Sequence, residues 1–249
     1  MNNNTNQSSL LPWLTLGGLL ALGLIIAAFI IGQSAKQVAS ARESITIKGT
    51  AEKSVKADKA LWSVTVFTTA NTVAEALPAL QNQVAQVTRD LTTADLLPAN
   101  QLQQYDWTSE AIYQRAEGYE SQIVGYRLSQ RLGAVLTDVN MPVKLNNKVN
   151  QLIIQSVNLE HNETQYLVSN IEAIKLSLIS AATKNAHDRA LEFAKSGDVK
   201  VGTMRSASQG VFQISSPLST GSDEYGGEYN TTTIDKTARV VVTVNYAIQ

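Results

Sequence analysis

The distribution of apolar positions divides the chain into two unlike parts. Residues 13–31, WLTLGGLLALGLIIAAFII, contain no charge and no amide, and Thr15 is their one polar side chain. At about 1.5 Å rise per residue a helix here would cover roughly 28 Å, close to the roughly 30 Å hydrocarbon core of a bilayer. A buried core helix would show a polar face, and this one has none. The pattern predicts a polar tail at 1–12, a transmembrane anchor at 13–32, a polar linker at 33–44 and a soluble domain at 45–249. Gly17, Ala21, Leu24, Ala28 and Gly32 recur at spacings of 4, 3, 4 and 4. The small residues Gly17, Ala21, Ala28 and Gly32 form a face that would let membrane helices pack closely; the alternative is that Gly and Ala are simply common in such helices.

Beyond residue 44 the pattern changes to short periods. Ile45 and Ile47 alternate with Thr46 and Lys48, and LWSVTVFTT sets Trp62, Val64 and Val66 on one face, predicting an antiparallel strand pair. Thr72 and Glu75 form a capping box, after which Val73, Leu77, Leu80, Val84, Val87 and Leu91 recur at helical spacing. Pro78 predicts a kink there, or a helix that starts properly only near it. Residues 102–115 and 122–136 read as two aromatic-rich strands carrying Tyr105, Trp107 and Tyr113, with a turn near Gly118. Core or cross-strand packing is the preferred role for these aromatics, and a binding surface the other.

Pro142 opens a second helix with Val143, Leu145, Val149, Leu152 and Ile153 as its apolar members, ending near Val157. A strand lies within 157–168. A long helix then carries Ile171, Ile174, Leu178, Ala182, Ala186, Ala190 and Phe193 to a C-cap at Gly197. Strands at 201–214 and 238–248 close the chain. If VVVTV of the last strand lay at a sheet edge, it would be a pairing hazard. Between these strands runs a Ser, Thr and Gly-rich loop at 215–233, in which Asp223, Glu224, Tyr225, Glu228 and Tyr229 form a candidate interaction loop. The class expected is α+β: antiparallel strands packed with two or three amphipathic helices, preceded by one transmembrane helix.

Charge and composition narrow the chemistry. Residues 1–12 lack Lys and Arg, and the apolar run exceeds that of a signal peptide, although Ala39-Ser40-Ala41 offers a small-x-small site. An uncleaved anchor is expected. Lys36, Arg42 and Glu43 decide little about orientation. A net charge of −1 without a basic stripe argues against nucleic acid as a partner. With no cysteine there is neither a disulfide framework nor a thiolate metal site.

Catalytic candidates are weak. His187 and Asp188 are neighbours on a helix and do not face each other. His161 and Glu163 lack a third metal ligand, and Asp223, Glu224 and Glu228 fit no calcium spacing. The sequence is expected to need no cofactor, no metal and no catalytic residue.

Four segments together carry a family resemblance. ITIKGTAEKSVKADKALWSVTV resembles the opening strands of the SIMPL-domain family, with Ala57-Asp58 in place of the commoner Pro-Asp. GYRLSQRLGAVLTDVNMPVKLNNKV is similar to its middle strand and following helix, with Tyr126, Asp138 and Val139 in place. AATKNAHDRALEFAKSGDVKVGTMRSAS resembles its signature helix and turn, and VVVTVNYAI its closing strand. The resemblance implies a bacterial envelope protein, usually periplasmic and often labelled for oxidative stress defence, and supplies no catalytic residues. The expectation is therefore a single-pass inner-membrane protein with its domain in the periplasm. It would act as a non-enzymatic structural or assembly protein, partnered by the bilayer and by copies of itself in a homo-oligomer. The alternative is a periplasmic ligand- or peptide-binding module in envelope stress defence.

Overall fold

The computed structural model describes residues 18, 22–31, 43–92, 96–114, 122–219, 227 and 229–248. Residues 22–31 are helical (α1), and Ile25, Phe29 and Ile31 are among their exposed side chains. No helix among the described residues is long and apolar enough to cross a membrane. Most of the remaining anchor, including Gly17, Ala21 and Gly32, lies outside the described residues; Ala28 is on α1 and exposed.

The rest is α+β. Its elements run β1 (Ser44–Lys56), β2 (Lys59–Ala70), α2 (Val73–Thr92), β3 (Gln103–Gln114), β4 (Gln122–Leu136), α3 (Met141–Ile154), β5 (Leu159–His161), β6 (Gln165–Leu167), α4 (Ile171–Ser196), β7 (Val201–Ser215) and β8 (Asp235–Ile248). Two compact units result, one of residues 1–50, 181–210 and 241–249, the other of 51–180 and 211–240. One sheet has the order β1-β8-β7, and the other the order β3-β4-β2-β5 with β6 also on β2.

In the larger unit β2 is central. Ala60, Trp62, Val64 and Val66 are buried on one face, as period two demands when a single face meets the core. They share it with Leu128, Leu132, Ala134 and Leu136 of β4, beneath Leu80, Val84, Val87 and Leu91 of α2 and Leu145, Val149 and Leu152 of α3. The helix α2 is capped as its box predicts, Thr72 Oγ1 accepting the Glu75 N–H at 3.3 Å. It begins at Val73, not near Pro78, because the cap and the buried Ala76 hold the first turn while proline removes one backbone donor. In α3, Val143 and Ile153 are exposed while Pro142 takes an inward position.

The expected pairing of β1 with β2 does not occur. The chain changes sheets at Ala57 and Asp58: the Ala57 N–H donates to the Ile234 carbonyl at 2.9 Å and the Asp58 N–H to that of Leu167 at 3.0 Å. Asp58 Oδ1 also accepts the Ser169 N–H at 2.8 Å. The expected strand within 157–168 is two short ones, β5 and β6, both antiparallel to β2.

In the smaller unit Ala182, Ala186, Ala190 and Ala194 of α4 are buried at regular spacing, and Ala194 takes the place predicted for Phe193, which is exposed. Alanine there permits close approach: a Cβ on Gly49 would collide with the Ala182 carbonyl and lie 2.7 Å from the Ala186 Cβ. The Asn185 side chain accepts the Thr50 N–H at 3.1 Å, and Arg189 donates to the Lys48 carbonyl at 2.9 Å. The last strand, β8, lies between β1 and β7, so it is not an edge. Its apolar alternation reflects the most covered position in that sheet.

Candidate interaction surface

The edge strand left most open is β3. It pairs with β4 alone, antiparallel, with register irregularities between Gln104 and Trp107 and between Ile112 and Tyr113. Ala111 is half-buried and the other eleven residues of β3 are exposed. Tyr105, Trp107, Ile112 and Tyr113 therefore lie outside the core at 38 to 60% exposure, while Tyr105 does pack across strands, against Arg131 of β4. Residue type cannot separate the two, since strands enrich aromatics on covered and open faces alike.

The face of this sheet opposite α2 holds two matched arginines. Arg127 stacks on the Phe67 ring at 4.0 Å and donates to the Glu160 carboxylate. Arg131 stacks on the Tyr105 ring at 4.4 Å. The Tyr105 hydroxyl donates to Gln103 Oε1 at 3.3 Å, and Gln130 Nε2 donates to the Tyr105 carbonyl at 2.8 Å. Asn162 is fixed beside them, its amide donating to Ser63 Oγ at 3.0 Å and Thr65 Oγ1 at 3.1 Å.

A second open edge is β7, where 203–210 are exposed and Arg205 supplies a cation. The far end of β7 is covered by the strap that follows it: the Asn230 N–H donates to the Ile214 carbonyl at 2.7 Å, and the Tyr166 N–H to the Thr231 carbonyl at 2.6 Å. Of the candidate loop residues, Asp223, Glu224, Tyr225 and Glu228 lie outside the described residues. Tyr229 belongs to the strap, its phenol oxygen accepting the Val168 N–H at 3.0 Å. Beneath the strap Lys236 is 1% exposed, its Nζ donating to the Asn230 carbonyl at 2.6 Å, and burial lowers its pKa below the usual lysine range.

The catalytic candidates stay apart. His187 lies against the Tyr246 ring at 5.5 Å, and the Tyr246 pKa is raised by burial and then by the Asp188 charge. His161 Nε2 is 2.7 Å from Asn150 Oδ1. No group of three or more potential metal ligands occurs among the described residues.

Comparison with known families places these features in context. The SIMPL family model, described as a protein of unknown function (DUF541), matches residues 45–246. No curated protein matches the chain.

Proposed function

The chain belongs to the SIMPL family, and from that premise we propose that it is a membrane-tethered, non-enzymatic assembly protein of the bacterial envelope, whose periplasmic domains associate edge to edge. One observation carries this reading: β3 is an edge strand open on both faces and rich in aromatic side chains. Such an edge presents unpaired backbone groups that a second chain satisfies by adding a strand, while exposed rings supply the apolar contact. The exposed apolar residues of α1 support the tether.

Charge selects the partner strand. Two β3 strands paired antiparallel about Thr108 would set Asp106 against Glu110, like charge on like. Pairing with β7 of a second copy sets those carboxylates near Arg205 instead. A contact between two different edges is heterologous, so it propagates until the rotation closes a ring.

Full-length protein in detergent, weighed by native mass spectrometry, tests this. The expected result is an oligomer in the wild type, loss of it in Asp106→Lys/Glu110→Lys, and recovery when Arg205→Glu is added. A monomeric wild type, or an oligomer indifferent to all three changes, overturns the proposal. The chain has no cysteine, so an equimolar mixture of the Asp106→Cys and Arg205→Cys variants should give a mixed disulfide in excess of the homotypic ones.

A further inference from the structure

The open face of the β3-β4-β2 sheet contains a cleft that edge-to-edge assembly does not use. Gln103, Gly133 and Ser63 stand in register across the three strands. Gly133 contributes no side chain, so this row is a trough between the row of Arg131 and Thr65 and that of Val135 and Leu61. Tyr105 leans over the trough: a Cβ on Gly133 would lie 3.2 Å from its ring and 3.3 Å from the Trp62 carbonyl. The cleft has a volume of about 420 Å³, and Glu163 and Gln165 stand at its rim.

The two arginines of this face show what the cleft lacks. Both stack on an aromatic ring, yet the Arg127 guanidinium ends on Glu160 while Arg131 joins none of the three ion pairs among the described residues. Stacking holds a guanidinium flat with its edge donors directed outward, the arrangement that receives a carboxylate. Glu163 also joins none of those pairs, so the cleft presents a cation and an anion that no described ion pair uses. The Gln103 oxygen is engaged by Tyr105, which leaves its amide N–H groups to donate. Leu61 and Val135 give the trough an aliphatic side.

We propose that this cleft binds a small zwitterion, an α-amino acid with an aliphatic side chain. Its carboxylate takes at Arg131 the place that Glu160 takes at Arg127, its ammonium faces Glu163, and its side chain lies along Leu61 and Val135. The inference does not rest on the assembly reading: it uses the face of the sheet, and Gln103 and Tyr105 are the β3 residues that line the cleft.

Isothermal titration of the full-length protein in detergent tests it with three probes: L-leucine, L-leucinamide, which lacks the carboxylate, and 4-methylpentanoate, which lacks the amine. L-leucine is expected to bind saturably with Kd of about 1 mM or tighter, and each of the others about tenfold more weakly. Arg131→Gln should abolish L-leucine binding. Glu163→Gln should weaken L-leucine while leaving 4-methylpentanoate unchanged, and Gly133→Leu should fill the trough and block all binding. No saturable heat with L-leucine, or equal binding of leucine and leucinamide, overturns the proposal. That comparison uses the wild type alone and so stands even where a variant misfolds.

Discussion

Asn146 Oδ1 accepts the indole N–H of Trp62 at 2.7 Å, joining α3 to the central strand of the larger unit. Trp62 is 1% exposed and Asn146 half-buried, so the indole N–H depends on this acceptor. Asn146→Ala should therefore cost about 1–3 kcal/mol, the desolvation of an orphaned donor, and Trp62→Phe should cost less in that background than in the wild type, because it removes the orphan along with core volume. Urea unfolding of the two single variants and the double variant measures the coupling.

The helices α3 and α4 end alike, each on a non-glycine residue with positive φ: Ser156 at 66° and Asp198 at 52°. In each case the following residue closes the turn, Val157 N–H donating to the Leu152 carbonyl at 3.1 Å and Val199 N–H to that of Ala194 at 3.0 Å. The left-handed position after α4 is thus Asp198, one residue beyond the glycine that the sequence nominated. Ser156→Gly and Asp198→Gly should each stabilise by about 1 kcal/mol, because glycine adopts this conformation without steric cost. Both variants keep the same backbone, so the midpoint of thermal unfolding should rise with no change in circular dichroism.

Such details show where sequence reading stops. Period two identified Trp62, Val64 and Val66 because one side of that sheet is covered and the other is not. The partner of β1 could not be read, since β8 lies at the far end of the chain and nothing local in either strand encodes register. Phe193 and Ala194 both satisfy helical spacing, and it is Ala194 that is buried, continuing the row of Ala182, Ala186 and Ala190 while Phe193 is exposed. The cleft was least legible of all: Arg131, Gly133 and Glu163 become neighbours through strand pairing, and none belongs to a motif.

Lys236 couples the stability of its surroundings to pH, because its amine is buried. Burial depresses its pKa in the folded state relative to the ordinary value of 10.5, so between the folded value and 10.5 the unfolded chain binds more protons. Stability from this residue therefore rises as pH rises towards 10.5 and is lost as pH falls through the folded value. Tyr246 acts oppositely above its ordinary value of 10.0, where its raised pKa makes stability fall with rising pH. Comparing wild type with Lys236→Met cancels Tyr246. Denaturant unfolding from about pH 7 to pH 10.5 should show the difference moving in favour of the wild type; parallel curves would mean that the amine is not penalised by its site.

Ala57 occupies the position where the chain changes sheets, and its backbone explains why alanine serves here and proline would not. Its N–H donates to the Ile234 carbonyl at 2.9 Å, and the residue is 5% exposed. Ala57→Pro removes that donor and leaves a carbonyl short of one bond, a cost of about 1–3 kcal/mol, set against a gain of under about 1 kcal/mol from the stiffer unfolded chain. Net destabilisation in thermal unfolding is expected, and an increase in stability would show that the strap around Ile234 re-forms its bonds elsewhere.

The strap is held to the larger unit through Asn230. Sequence composition marks residues 215–233 as a loop that tolerates shortening, but its final part is tied at many points. Asn230 Oδ1 accepts the N–H groups of Thr232 at 3.1 Å and Thr233 at 3.3 Å, its own N–H reaches Ile214, and its carbonyl receives the buried Lys236 ammonium. The side chain thus builds the turn that aims the carbonyl at Lys236. Asn230→Ala should cost about 1–3 kcal/mol, because loosening the turn also leaves the ammonium poorly paired. Asn230→Asp keeps the acceptor and should cost less. Since Lys236→Met removes the charge that needs pairing, Asn230→Ala should be milder in that background. A double-mutant cycle by urea unfolding with additive losses would sink the link between turn and lysine and return the strap to the status of a plain connection.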